Sequence, residues 1–232
     1  MSITEIKGNI FTTKAQTIVN TVNCVGVMGA GIALEFRLRE PEMYLRYVEI
    51  CKAGNLSPGI LWLYKSSKPQ VLNFPTKKDW KHPSRPEYLE KGLEKFAATY
   101  KEKGITSIAF PMLGADKGGL PVALSKAIMK KHLSPLKDLN VEIYEYDPKA
   151  KDDLFDEVRG FVLSNSLPNI SKVTGIAKAR LTTIVDAMVN GSVCQISQLG
   201  GLPGIGPSTL EKLFALRTPQ VQQPSQKSLF DN

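Results

Sequence analysis

Apolar positions in the first 148 residues follow two periods. Short runs at Ile3–Ile10, Thr17–Val22, Ile60–Tyr64, Gln70–Phe74, Ile105–Met112 and Val141–Tyr146 are rich in β-branched and aromatic residues and read as strands. Between them, apolar residues recur at helical spacing. Ile32, Ala33 and Phe36 mark an amphipathic helix over Ala30–Arg39; Tyr44, Tyr47, Val48 and Cys51 mark one that starts at Pro41; Leu89, Leu93, Phe96 and Tyr100 mark one over Pro86–Lys103. A further helix is expected over Pro121–His132. Pro41 suits a first helical turn, and Gly54-Asn55 and Gly104 suit helix ends. Strands alternating with helices predict a mainly parallel sheet covered on both faces, an α/β fold of three layers.

Asp147-Pro148 ends that pattern. Residues 151–163 read as a helix with Leu154, Val158, Phe161 and Val162 on one side. In 170–188, Gly175 separates two helix-like pieces, a spacing that resembles a helix-turn-helix with Lys178 and Arg180 early in the second helix. Leu202–Leu213, LPGIGPSTLEKL, resembles the hairpin of a helix-hairpin-helix, in which the turn at Gly204 and Gly206 presents main-chain N–H groups to a phosphate. The alternative is a plain helical bundle that docks on the first domain or on a protein partner. From Thr218 the chain is polar and rich in Pro and Gln, the composition of a flexible tail. Three parts are therefore expected: 1–148, an all-α domain over 149–217, and a tail over 218–232.

Composition narrows the function classes. Cys24, Cys51 and Cys194 are scattered and odd in number, which fits reduced thiols in a cytoplasm. With His82 and His132 as the only histidines and no paired cysteines, no zinc site and no metal cofactor are expected. No run of 18 apolar residues or signal-peptide pattern occurs, so no membrane association is expected. The formal charge is +8, and residues 149–232 hold 9 Lys/Arg against 7 Asp/Glu, so most of the excess lies in 1–148. Lys77, Lys78, Lys81 and Arg85 cluster around Trp80. Basic residues interleaved with an aromatic are what a single-stranded nucleic-acid surface uses, by phosphate pairing and base stacking.

Two glycine loops carry the candidate chemistry. The first, in Thr21–Ala33, places Gly26, Gly29 and Gly31 after a strand and before a helix, with no charged residue until Glu35. Its GxxGxG spacing is neither the dinucleotide GxGxxG nor a triphosphatase loop. The second, Leu113–Leu120, follows another strand end. Loops at the carboxyl ends of parallel strands share a crevice, and two N–H-rich loops across one crevice suit a pyrophosphate.

Ile6–Ile10, the Val22–Ala33 loop, Asn73-Phe-Pro-Thr-Lys77 and Phe110–Leu120 together resemble a macrodomain over roughly residues 1–148, in the branch that contains human terminal ADP-ribose glycohydrolase and the bacterial DarG antitoxins. The resemblance implies an α/β/α fold, ADP-ribose as ligand and no cofactor. It implies ligand contacts from Asn9, Ile10, Asn23, Gly26, Val27, Met28, Gly29, Ala30, Gly31, Ile32 and Thr76, and from Pro111, Leu113, Gly114, Ala115, Lys117, Gly118, Gly119 and Leu120. Asn9 stands where many macrodomains carry the aspartate that binds the adenine amine, and Asn23 resembles the ribose-contacting asparagine. Tyr146, at the end of the last expected strand, either stacks on adenine or is a core or rim tyrosine.

By the same resemblance Lys77 is the nucleophile and Asp116 the proton shuttle, with Lys78 one position away as the alternative lysine. A lysine must be neutral to attack, and Lys78 and Lys81 are expected to favour that by like-charge repulsion. The implied reaction is removal of ADP-ribose from thymidine bases of single-stranded DNA, undoing a DarT-type toxin. The competitors are hydrolysis of ADP-ribosyl esters on protein carboxylates and non-catalytic ADP-ribose reading. Gln226-Lys-Ser-Leu-Phe230 also resembles the motif by which bacterial proteins dock on the replication sliding clamp.

Overall fold

In the computed structural model, which describes residues 3–215, six strands form one sheet. The strands are β1 (Ile3–Gly8), β2 (Thr17–Val22), β3 (Trp62–Tyr64), β4 (Gln70–Pro75), β5 (Ser107–Pro111) and β6 (Asn140–Tyr146), in the order β1-β6-β5-β2-β4-β3. All neighbours are parallel except β3 and β4 at one edge. Helices α1 (Gly31–Arg39), α2 (Pro41–Lys52), α3 (Pro86–Thr99) and α4 (Val122–Leu133) complete the α/β part. The first expected strand stops at Gly8, because Asn9 caps a 3-10 turn at Ile10–Thr12 by accepting from the Phe11 N–H. The expected Ile60–Tyr64 strand shortens to three residues on the sheet edge.

The two sheet faces explain why the central strands read as apolar runs. Along β2, Ile18 and Val22 face a core with Phe36, Met43 and Tyr47, while Val19 faces Leu72, Phe74, Leu89, Leu93 and Phe96. With both faces covered, alternation gives way to continuous hydrophobicity. The exception is a buried amide pair: Asn20 Nδ2 donates to Asn73 Oδ1 at 3.0 Å, across positions that oppose each other in the β2–β4 register. α3 approaches the sheet through Gly92, where a Cβ would fall 2.1 Å from the Phe74 ring.

The remaining helices are α5 (Asp153–Ser164), α6 (Leu167–Thr174), α7 (Lys178–Val189), α8 (Ile196–Leu199) and α9 (Pro207–Phe214). Gly175, in the left-handed region at φ 65°, caps α6 and turns the chain toward α7; Gly204, at φ 74°, turns the chain in the segment between α8 and α9, where Gly200 caps α8. The all-α core is not self-contained. Leu34 and Leu38 of α1 are buried in it, together with Leu154, Val158, Leu181, Ile196, Leu199 and Leu210. α1 is therefore buried on two sides, not the one-sided amphipathic helix that Ile32, Ala33 and Phe36 suggest.

The segment over residues 218–232, including Gln226–Phe230, lies outside the described residues. No helix among the described residues is long and apolar enough to cross a membrane.

Candidate functional site

Three loops converge at the carboxyl ends of β2, β4 and β5. The first begins at Asn23, whose buried amide builds it: Oδ1 accepts from the N–H groups of Val25 (3.0 Å) and Val27 (3.3 Å), and Nδ2 donates to the Val27 carbonyl (2.5 Å). The Tyr47 hydroxyl locks the same group from below, 2.8 Å from the Asn23 carbonyl and 3.0 Å from Oδ1. Asn23, expected to contact ribose, thus shapes the loop with its side chain. Gly26 turns at φ 81°, where a side chain is strained. Gly31 opens α1, whose N-cap Ala30 offers no side-chain acceptor, so the first N–H groups point out of the helix end. Met28, expected to contact the ligand, is fully buried in the core with no exposed surface to offer one.

The second loop carries Lys77 and is laced to the first. The Thr76 N–H donates to the Val22 carbonyl (3.0 Å), the Cys24 N–H to the Lys78 carbonyl (3.0 Å) and the Cys24 thiol to the Lys77 carbonyl (3.3 Å). Burial pushes the Cys24 thiol up to about 11, which keeps it a donor at neutral pH. Beyond Lys77, Trp80 is 52% exposed with the Lys81 ammonium 5.6 Å from its ring centroid; Lys78 and Arg85 are exposed beside it.

The third loop packs against both. Its turn at Gly114 (φ 65°), Asp116 (φ 37°) and Gly119 (φ 78°) closes with Leu120 N–H donating to the Gly114 carbonyl (2.9 Å). Asp116, the non-glycine residue of the described chain with positive φ, is exposed on the 3-10 turn Asp116–Gly118. Ser84 N–H donates to the Gly118 carbonyl (2.9 Å), tying this loop to the end of the lysine loop. The two glycine loops also meet directly: a Cβ on Gly31 would lie 3.5 Å from Lys117 Cγ. Across this junction Lys77 Nζ donates to the Lys117 carbonyl at 2.5 Å. Leu113, Gly114, Ala115 and Gly118 are buried and Pro111 is half-buried; Gly114, Gly119 and Leu120 shape the turn. Leu113 has no exposed surface and its carbonyl accepts from the Ser125 hydroxyl at 2.6 Å, so it serves packing and is not open to a ligand.

The carboxyl ends of β1 and β6, parallel to β5, lie on the same side of the sheet. Asn9 is buried, and beyond its bond to Phe11 its Nδ2 donates to the Lys151 carbonyl (3.1 Å). Ile10 is buried beside it. Tyr146 is 51% exposed, with its hydroxyl 3.4 Å from Gln198 Nε2. Lys178 and Arg180 are exposed at the start of α7, and Gly204 and Gly206 form the turn before α9; these four belong to the helical part and to none of the three loops.

Cys24, Ser84 and Gln198 were not legible as site residues from the sequence. Their partners are main-chain groups or side chains far along the chain, which leave no local pattern. The structure also brings Glu90, Glu94 and His132 together on α3 and α4, where His132 meets Glu90 and holds its carboxyl below the usual range, with Lys131 Nζ 3.1 Å from the same carboxylate. The lysine fills the cluster with a protein cation.

A family model described as Macro domain matches residues 19–129. The chain is similar to a DNA ADP-ribosyl glycohydrolase of Thermus aquaticus, with 41% identity over 151 residues, covering 62% of this chain and 42% of the relative. Among solved structures it resembles the macrodomain of Thermus aquaticus DarG, with 40% identity and TM-score 0.59, covering 62% of this chain and 98% of that one. It also resembles Thermosipho africanus DarTG in complex with ADP-ribose, with 30% identity and TM-score 0.58, covering 65% and 43%. The chain spans about two fifths of the length of these curated relatives.

Proposed function

The chain belongs to the macro domain family, and from that premise we propose that it is an ADP-ribosyl glycohydrolase acting on ADP-ribosylated DNA, with a thymidine-type base adduct in single-stranded DNA as substrate. It then reverses the product of a DarT-type DNA ADP-ribosyltransferase toxin. The observation that carries this is the meeting of Lys77 with the second glycine loop, which sets a primary amine at the junction of two N–H-rich loops. A diphosphate held between those loops leaves its distal ribose beside that amine.

The chemistry divides among few groups. The Lys77 nitrogen, once free of its proton, bonds to the anomeric carbon as the bond from that carbon to the base breaks. Asp116 takes that proton from Lys77 and delivers it to the leaving base. Water then displaces the lysine from the anomeric carbon, with Asp116 taking the proton, and ADP-ribose departs. Trp80, with Lys78, Lys81 and Arg85, supports DNA as the bearer of the adduct, since an exposed indole among cations can stack a base and pair phosphates. In this account Lys178, Arg180 and the Gly204–Gly206 turn contact the nucleic-acid backbone in the manner of helix-turn-helix and helix-hairpin-helix modules. The branch likeness to the human enzyme and the sliding clamp as a partner through Gln226–Phe230 belong to the same proposal.

The test is incubation of the chain with an ADP-ribosylated single-stranded oligonucleotide and with ADP-ribosylated protein. Release of ADP-ribose from the oligonucleotide supports the proposal; release from protein alone, or binding without release, refutes it.

A further inference from the structure

The helical part touches the α/β part at α1, which follows the first glycine loop, and at the ends of β1 and β6. α1, which begins at the first glycine loop, buries Leu34 and Leu38 in the helical core. Arg37 of α1 pairs with Glu211 of α9 at 2.6 Å. Arg39 pairs with Glu35 at 2.6 Å and with Asp152 at 3.2 Å; Asp152 is fully buried, caps α5 and accepts from the Ile196 N–H at 2.9 Å. At the ends of β1 and β6, Asn9 is tied to Lys151, and Gln198 reaches Tyr146 while donating to the Pro148 carbonyl at 2.8 Å. Gln195 Nε2 donates to the carbonyls of Asp147 and Ala150, both at 2.8 Å, and so fixes the connecting segment.

From these contacts we infer that the helical part is a wall of the nucleotide site, not a separately acting attachment: it sets α1, Asn9 and Tyr146 and so forms the adenosine end of the crevice. Gln198 is then a positioning residue that acts through the Tyr146 hydroxyl. The inference rests on ADP-ribose being the ligand. Two features support it physically. Leu34 and Leu38 lose their burial if the helical part leaves, so α1 is not at its lowest free energy without it. The side chains that would meet adenine are also held by hydrogen bonds from 147–152 and α8, which spares the ligand the cost of ordering them.

Gly200 offers a test away from the ligand. It follows α8 with an ordinary helical backbone (φ −68°), and a Cβ there would lie 3.1 Å from Leu34 Cδ2. Gly200→Leu wedges the helical part off α1, and Leu34→Ala reopens the space. ADP-ribose affinity of the full chain is measured by calorimetry, with thermal melting as the check on folding. Gly200→Leu is expected to weaken binding about tenfold and the double variant to recover most of it. Tyr146→Phe and Gln198→Ala are expected to weaken binding non-additively, each by about threefold to fivefold alone. Should the wedge prevent folding, hydrogen exchange of the wild type decides: ADP-ribose must slow exchange over residues 147–152 and 195–200 as well as in α1. Unchanged affinity in a folded Gly200→Leu, or protection confined to the α/β part, overturns the inference while leaving the ligand intact. No ADP-ribose binding by the wild type overturns the ligand, and the inference with it.

Discussion

The side-chain nitrogen of Lys77 lies 2.5 Å from the main-chain oxygen of Lys117, to which it donates. The loop after β4 thereby closes onto the loop after β5, and the amine points at the junction of the glycine loops. The acceptor is a carbonyl, so its position depends on the fold of the third loop and not on the Lys117 side chain.

Gly114 controls that fold. Its φ of 65° disfavours any side chain, and a Cβ would lie 2.9 Å from Leu120, 3.1 Å from Ser84 and 3.2 Å from Leu89. Gly114→Val is expected to cost about 2–4 kcal/mol in urea denaturation and to abolish measurable ADP-ribose binding. Wild-type affinity in this variant would mean that the third loop does not hold the ligand.

Cys24 fixes the other side of Lys77 through its thiol and N–H bonds to the Lys77 and Lys78 carbonyls. Cys24→Ala is expected to lower kcat about threefold to tenfold with little change in KM, while Cys24→Ser, which keeps a donor, recovers most of the rate. Equal losses in both variants would point to packing and not to the hydrogen bond.

Trp80 separates DNA from free ligand. Trp80→Ala is expected to raise KM for a modified oligonucleotide by about tenfold, the value of one lost base stack, and to leave the Kd of free ADP-ribose unchanged. A KM that does not move removes the indole from the DNA surface.

Glu35 makes the junction of the two parts sensitive to pH. Burial, the larger effect, and the neighbouring Asp152 charge raise its pKa from 4.5 to about 7, against the pull of Arg39. Because the folded value lies above the unfolded one, the stability this proton contributes is full below 4.5 and is lost as pH rises through about 7. Across that window the wild type is expected to lose roughly 1–3 kcal/mol relative to Glu35→Gln, read from denaturation midpoints at a series of pH values. Parallel curves would show that Glu35 ionises freely in the fold.

The α/β part was legible wherever burial is two-sided or periodic. Thr17–Val22 and Gln70–Phe74 announce themselves because both faces of each strand are covered, and Leu89, Leu93 and Phe96 because one face of α3 is. α1 was only half legible: Phe36 packs toward the sheet as its spacing suggests, but Leu34 and Leu38 serve a core built more than a hundred residues later. Lys77 and the glycines stood out through ordered motifs. What the side chains of Asn9 and Asn23 do did not, since an amide that folds its own loop looks the same in sequence as one held ready for a ligand. Cys24 left no trace, because its partners are main-chain oxygens 53 and 54 residues away.

The central claim is that Lys77 cleaves and the glycine loops hold. Single-turnover release of ADP-ribose from a modified single-stranded oligonucleotide, run for wild type and Lys77→Ala beside calorimetry with free ADP-ribose, tests it most directly. The expected result is a fall in release of at least about a hundredfold in Lys77→Ala, with ADP-ribose affinity within about threefold of wild type. Release that persists in Lys77→Ala at the wild-type rate would contradict it.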